Sequence, residues 1–202
     1  AAAKPVPSVR SAVSRPRGRV HQSVYYLELI KGLGLAAGDP WPRISVRAAT
    51  LARADAVLAA HGVAPGSRIV GFAPGAAYGH AKRWPPRLVA ETIARLSREA
   101  GAVCVMLGAA GDRDSGREIE SSLAPDARVV NLVGRTDLGQ LAGVITRCAA
   151  LVSNDSGAMH LAAAVEVKPG RPKNRACVVV AGGREPSQWE KYGHHRYLET
   201  NG

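Results

Sequence analysis

The run Leu151-Val152-Ser153-Asn154-Asp155-Ser156-Gly157-Ala158-Met159-His160-Leu161-Ala162-Ala163-Ala164-Val165 holds three structural events in one short space. An apolar segment, Ala149 to Val152, reads as the end of a buried strand. Asn154-Asp155-Ser156-Gly157 is turn and helix-cap chemistry, and His160 to Val165 is a strong helix former. A strand that turns directly into a helix sets unpaired backbone N–H groups and the positive helix end at a sheet edge, where a phosphate is readily held. The simpler alternative is that Asp155 or Ser156 caps the helix and does nothing more. The choice depends on what other segments bring to the same edge.

Strand and helix signals alternate on the N-terminal side of this run. Arg68-Ile69-Val70-Gly71-Phe72-Ala73 is a short continuous apolar strand of the parallel-sheet kind. The pattern then predicts a helix from about Pro85 to Ala100, a strand from Ala102 to Leu107 and a helix from Asp112 to Leu123. A strand from Arg128 to Leu132, a helix from Asp137 to Cys148, the strand and helix of the quoted run, and a strand from Ala176 to Ala181 follow. Strands separated by helices imply parallel βαβ units, hence an α/β fold with a Rossmann-like doubly wound sheet whose ligands lie at the C-terminal strand ends.

The N-terminal part has a different character. Residues 1–20 carry Lys4, Arg10, Arg15, Arg17 and Arg19 without an acid and show no sustained period, so they read as a flexible basic lead-in. Residues 21–45 read as a helix from His21, stopped at Gly32 or Gly34, and a linker through Asp39-Pro40-Trp41-Pro42; the proline pairs keep that linker extended. Thr50 to His61 is an Ala/Leu-rich helix opening the main domain, taken as residues 46–202.

Composition narrows the class. The 202 residues suffice for a sizeable core, and 46% of them are apolar but only 4% aromatic, which suits closely packed helices on a sheet. No apolar run reaches membrane-spanning length and no apolar signal core opens the chain, so a cytoplasmic protein is expected. The formal net charge of +11 favours anionic partners without choosing among nucleic acid, acidic lipid and phosphorylated substrate. Cys104, Cys148 and Cys177 have no CxxC spacing, so neither a zinc site nor a disulfide framework is indicated.

Each strand end carries chemistry of its own. After the first strand, Ala73-Pro74-Gly75-Ala76-Ala77-Tyr78-Gly79-His80-Ala81-Lys82-Arg83-Trp84-Pro85 is a small-residue loop closing on two cations, of which Lys82 can reach a phosphate. A solvated loop with Trp84 covering the sheet edge is an equally simple reading. Leu107-Gly108-Ala109-Ala110-Gly111-Asp112 offers glycines for close backbone approach and an acid that either accepts from a sugar hydroxyl or caps a helix. Asn131-Leu132-Val133-Gly134-Arg135-Thr136-Asp137 poses the same choice, with Thr136 or Asp137 as the cap.

In this order and spacing, those four segments resemble the C-terminal half of the ADP-heptose:lipopolysaccharide heptosyltransferases, glycosyltransferase family nine, and most closely the heptosyltransferase II branch. The likeness runs from about residue 20 to 165. It implies the donor-binding second domain of a GT-B glycosyltransferase. Residue by residue, Lys82 of the Lys-x-Trp-Pro motif matches the contact to donor phosphate that stabilises the leaving group, and Ala77 and Tyr78 fall beside the diphosphate. Asp112 matches a ligand of ribose or donor sugar, and Thr136 falls where the adenine pocket is lined. Asp155, Ser156, Gly157 and His160 match the Asp-Ser/Thr-Gly-x-x-His motif that holds the diphosphate and orients donor groups.

The resemblance implies ADP-heptose as donor substrate, no cofactor, no metal, and inverting transfer to a lipid A-linked acceptor at the inner membrane face. In the family the acceptor and the acidic general base belong to the other domain, which lies outside this sequence. The tail departs from the heptosyltransferase II pattern. A basic loop, Lys168-Pro169-Gly170-Arg171-Pro172-Lys173-Asn174-Arg175, precedes a strand and Gly182-Gly183-Arg184-Glu185-Pro186, where Arg184 is a candidate phosphate or acceptor contact. A different class of function, a non-catalytic nucleotide-binding module acting with a partner, fits the same residues. Nucleic acid is not an expected partner, because no aromatic–basic platform or reading motif occurs.

Overall fold

The computed structural model describes residues 22–75, 83–165, 176–182 and 195–200. The chain divides after Pro42 into two units. The first contains α1 (Gln22–Gly32), which ends as the glycines suggested. Gly34 takes φ +78°, its amide donates to the Lys31 carbonyl at 2.9 Å and that of Leu35 to Ile30 at 3.2 Å, so Gly34 rather than Gly32 is the stop.

The second unit is the α/β domain. Its elements are α2 (Ala48–Ala60), β1 (Ile69–Ala73), α3 (Pro86–Ala100), β2 (Val103–Met106), α4 (Arg113–Ser121) after a single 3-10 turn at Ala110–Asp112, and β3 (Val129–Asn131). They continue with α5 (Leu138–Arg147), β4 (Ala150–Asn154), α6 (Gly157–Ala164), β5 (Ala176–Gly182) and β6 (His195–Thr200). Every strand anticipated from the apolar runs is present; β6 was not anticipated, and it pairs parallel with β5 from Cys177–His195 to Gly182–Thr200. The strand order is β3-β2-β1-β4-β5-β6 and every pairing is parallel.

The two-residue period of a strand sorts the core into two layers. Ile69, Val103, Val105, Leu107 and Leu151 face α2, α5 and α6, where they meet Ala54, Leu58, Val144, Ile145, Met159 and Ala162. Val70, Phe72, Cys104 and Met106 face the opposite way and pack on Val89, Ala90 and Ile93 of α3 and Ile119 of α4. Both faces of β1 are therefore covered, which is why all five of its residues are apolar or glycine and all are buried. Cys104 and Cys148 are buried within these layers, as small hydrophobes.

Gly143 shows how closely the helical layer is packed. A Cβ there would stand 2.6 Å from the Ala54 Cβ and 3.2 Å from the Thr50 carbonyl oxygen, so α2 and α5 pack close where no side chain intervenes. Among the described residues no helix is long and apolar enough to cross a membrane.

From β1 the chain moves one way to β2 and β3, then returns past β1 to add β4 on the other side. The order thus reverses between β1 and β4, and in open parallel sheets a crevice forms at that reversal, outside the carboxyl ends of the strands.

Candidate functional site

The site is built from the loops that leave β1, β2, β3 and β4, brought to one edge because all four strands run the same way. β1 and β4 are registered Val70–Ala150 through Ala73–Ser153. Pro74 and Asn154, the next residues along, therefore leave the sheet side by side. Strands are spaced by about 4.8 Å, so the four ends span roughly 14 Å, the reach of an elongated dinucleotide-like ligand.

β4 runs to Asn154, two residues beyond the end expected from its apolar core, because pairing with β5 continues to Asn154–Val180. Only Asp155 and Ser156 then separate strand from helix. Ser156 occupies the N-cap position with φ −152° and ψ 170°, yet its side chain makes no capping hydrogen bond. Its Oγ instead lies 3.1 Å from Ser153 Oγ. Ser153 spends its own proton on the Asn154 carbonyl at 2.7 Å, so Ser156 is the donor between the two hydroxyls. The simple capping role weighed for Ser156 is therefore not performed by its side chain, which leaves first-turn N–H groups of α6 that Ser156 does not cap. Among the described residues nothing stands within 4 Å of where a Gly157 side chain would begin, so the approach to those amides is open. Asp155, Ser156 and His160 are half-buried around this turn.

Asn154 itself is 2% exposed and bonded at both ends of its amide. Nδ2 donates to the Pro74 carbonyl at 2.6 Å, and Oδ1 accepts from the Trp84 amide at 3.2 Å. The last residue of β4 thereby joins the exit of β1 to the approach to α3, which opens at Pro86 with Pro85 in the cap position. Arg83, just before Trp84, has a buried Nε that meets no hydrogen-bond partner among the described residues.

On the other side of β1, the Asp112 carboxylate fills the space a side chain at Gly75 would need. A Cβ on Gly75 would lie 2.3 Å from Asp112 Cγ and Oδ1 and 2.5 Å from Oδ2. Asp112 Oδ2 also accepts from the Ala109 amide at 2.9 Å, so this acid braces the ends of β1 and β2 from within the edge. Next along, the Gly134 amide donates to the Gly108 carbonyl at 2.9 Å, and Arg113 donates to the Gly134 carbonyl at 2.7 Å. Gly134 holds φ +67°, and a Cβ would meet Arg113 Nε at 2.6 Å, so both conformation and space require glycine there.

Beyond β3 the two candidates for the cap separate. Asp137 caps α5: its Oδ1 accepts from the Gln140 amide at 2.7 Å while Gln140 Oε1 accepts from the Asp137 amide at 3.0 Å. The Gln140 amide, followed by the Arg53 guanidinium paired with it, holds the Asp137 carboxyl below its ordinary value of 3.8. Thr136 is freed from that duty, and its Oγ1 is buried without a partner among the described residues.

Asp112, Thr136, Asp155, Ser156, Gly157 and His160 thus stand on the ends of β2, β3 and β4 at one edge. Ala77, Tyr78, Lys82 and Arg184, with the basic loop 168–175, lie outside the described residues. Sequence reasoning missed Asn154 and Arg83 as contributors. It also read Asp112 without its partner Gly75; the signal was the register of β1 against β4 and β2, visible only once their adjacency is known.

Buried polar atoms are nearly always paired, so Arg83 Nε and Thr136 Oγ1, both on this edge, mark places where a ligand oxygen or nitrogen would be welcome. The open start of α6 suits an anion. Among the described residues there is no grouping of three or more His, Cys, Asp or Glu able to hold a metal ion.

Known proteins resemble this chain. Residues 5–169 match the model of glycosyltransferase family 9 (heptosyltransferase). Lipooligosaccharide heptosyltransferase 2 of Haemophilus influenzae is 40% identical over 120 residues, which cover 58% of this chain and 32% of that protein. The solved ADP-heptose lps heptosyltransferase II of Escherichia coli superposes with a TM-score of 0.65 at 32% identity, covering 78% of this chain and 45% of its own. A glycosyl transferase family 9 structure from Veillonella parvula gives a TM-score of 0.76 over 93% of this chain and 51% of that one, and at 23% identity it speaks for the fold alone. The chain spans about a third of the length of the Haemophilus relative. With most of its length matched by the family model and its parallel sheet shared with the solved members, the chain belongs to glycosyltransferase family 9, the heptosyltransferases.

Proposed function

We propose that this chain is the nucleotide-sugar-binding half of a GT-B heptosyltransferase of lipopolysaccharide core assembly, with ADP-heptose as donor. The supporting observation is the start of α6. It stands at the reversal of strand order without a cap from the Ser156 side chain and, among the described residues, open in front of Gly157, and the same sheet edge carries the buried Arg83 Nε and Thr136 Oγ1, which meet no partner among the described residues. The Escherichia coli relative named for ADP-heptose shares this fold at 32% identity.

In this reading the diphosphate lies on the α6 amides and the adenosine extends along the edge toward Thr136, with the ribose or heptose near Asp112. An acceptor hydroxyl loses its proton to a base from a domain outside these residues. Its oxygen bonds to the anomeric carbon as the bond to the diphosphate oxygen breaks, inverting the centre. ADP leaves with the electron pair, and the α6 dipole together with Lys82 stabilises the charge that develops on it. Ser156 reaches the phosphate by rotating its hydroxyl away from Ser153, exchanging one hydrogen bond for another. The acceptor is a lipid A-linked sugar, which places the reaction at the cytoplasmic face of the inner membrane.

Titration calorimetry of the chain with ADP and ADP-heptose tests the reading. Binding is expected, and Gly157→Asp, which sets a negative charge on the helix start and whose Cβ has nothing within 4 Å among the described residues, should weaken it by about tenfold or more. An absence of binding at millimolar ligand, or an unchanged affinity in Gly157→Asp, overturns it.

A further inference from the structure

We infer that Asn154 is a positioning residue for the donor diphosphate, acting through the backbone of the β1 exit and the α3 approach; the inference rests on the nucleotide reading above. Three features of the geometry lead there. First, the carboxamide is 2% exposed and has one orientation: reversing it would press an NH2 against the Trp84 N–H and an oxygen against the Pro74 carbonyl. Second, its partners flank the same connection, Pro74 directly after β1 and Trp84 two residues before α3 begins at Pro86. Holding the Trp84 amide also holds the neighbouring Arg83, whose buried Nε has no partner among the described residues.

Third, Asn154 is the last residue of β4 and lies two residues before Ser156, the N-cap residue of α6. Its main chain is tied by Ser153 Oγ, which donates to its carbonyl at 2.7 Å. One residue therefore sets both the start of α6 and the cationic approach to α3, and its side chain links them. A buried amide with both ends bonded is costly to cut, because each partner is left unsatisfied.

The test compares the 202-residue chain with Asn154→Ala, Asn154→Asp and the remote core variant Ile93→Val, reading ADP affinity by calorimetry and Trp84 amide exchange by NMR. Asn154→Ala should weaken ADP by about tenfold and speed Trp84 exchange by at least about tenfold, while Ile93→Val leaves both within about twofold. Asn154→Asp keeps the shape and the acceptor for Trp84 but loses the donor to Pro74 and adds a charge. It should fold, keep Trp84 protected and still weaken ADP by about tenfold. ADP affinity within about twofold of wild type in either folded variant, or unchanged Trp84 exchange in Asn154→Ala, overturns the positioning role alone. A wild-type chain that fails to bind ADP brings down the nucleotide reading and the positioning role together.

Discussion

Replacing Gly75 by alanine should reverse its effect on stability according to what stands at residue 112. In the native chain the new Cβ would lie 2.3 Å from Asp112 Cγ and Oδ1, far inside van der Waals contact. Asp has a short side chain, and its Oδ2 is tied to the Ala109 amide at 2.9 Å, so it can move aside only by giving up that bond. Overpacking of this kind costs about 1–3 kcal/mol, which for a chain of this size lowers the midpoint by roughly 3–9 °C. Gly75 does not have a positive φ, so an alanine there is not strained by its backbone.

When Asp112→Ala has already removed the carboxylate, the Gly75→Ala change keeps only its effect on the unfolded chain and should stabilise by about 0.4–1 kcal/mol. The coupling between the two sites is then about 1.5–4 kcal/mol, measured by urea unfolding of the four chains in a double-mutant cycle. Additive effects, within about 0.5 kcal/mol, would refute the claim that Asp112 braces β1 against β2.

Asp137→Asn tests the cap of α5 through pH. The folded carboxyl lies below its ordinary 3.8, so its contribution is fully present above that value and fades as pH falls through the lowered one. The midpoint difference between Asp137→Asn and wild type should be constant above about pH 5 and shrink below about pH 4, and a difference that does not depend on pH would be contrary to it. Gly143→Val tests the spacing of α2 and α5. With its Cβ 2.6 Å from that of Ala54, it should cost about 2–3 kcal/mol in urea unfolding, and Ala54→Gly in the same chain should recover part of the loss.

Much of this protein was legible in its residues alone. The β1–β5 strands and the helices between them follow from apolar runs of strand length alternating with helix-period segments, and that is local information. The four strand-end segments were recognisable for the same reason: turn and cap chemistry is written within four or five residues. Even the choice between Thr136 and Asp137 was correctly posed, although only the Asp137–Gln140 capping box decided it and left the Thr136 hydroxyl for other use.

What the tertiary structure alone decided is how the strand ends meet. Ser156 looked like a cap, but where β4 ends its hydroxyl meets that of Ser153, three residues back, and makes no capping bond to α6. Asn154 looked like part of a turn, yet pairing with β5 extends β4 to include it and turns its amide toward Pro74 and Trp84, 80 and 70 residues away. Asp112 looked like a ligand or a cap, and it is wedged against Gly75. Helix and strand periods depend on neighbours a few residues away, and they are carried by the chain itself. A buried amide or carboxylate must instead find its partner wherever strand order places one, and that order exists only after the sheet has formed.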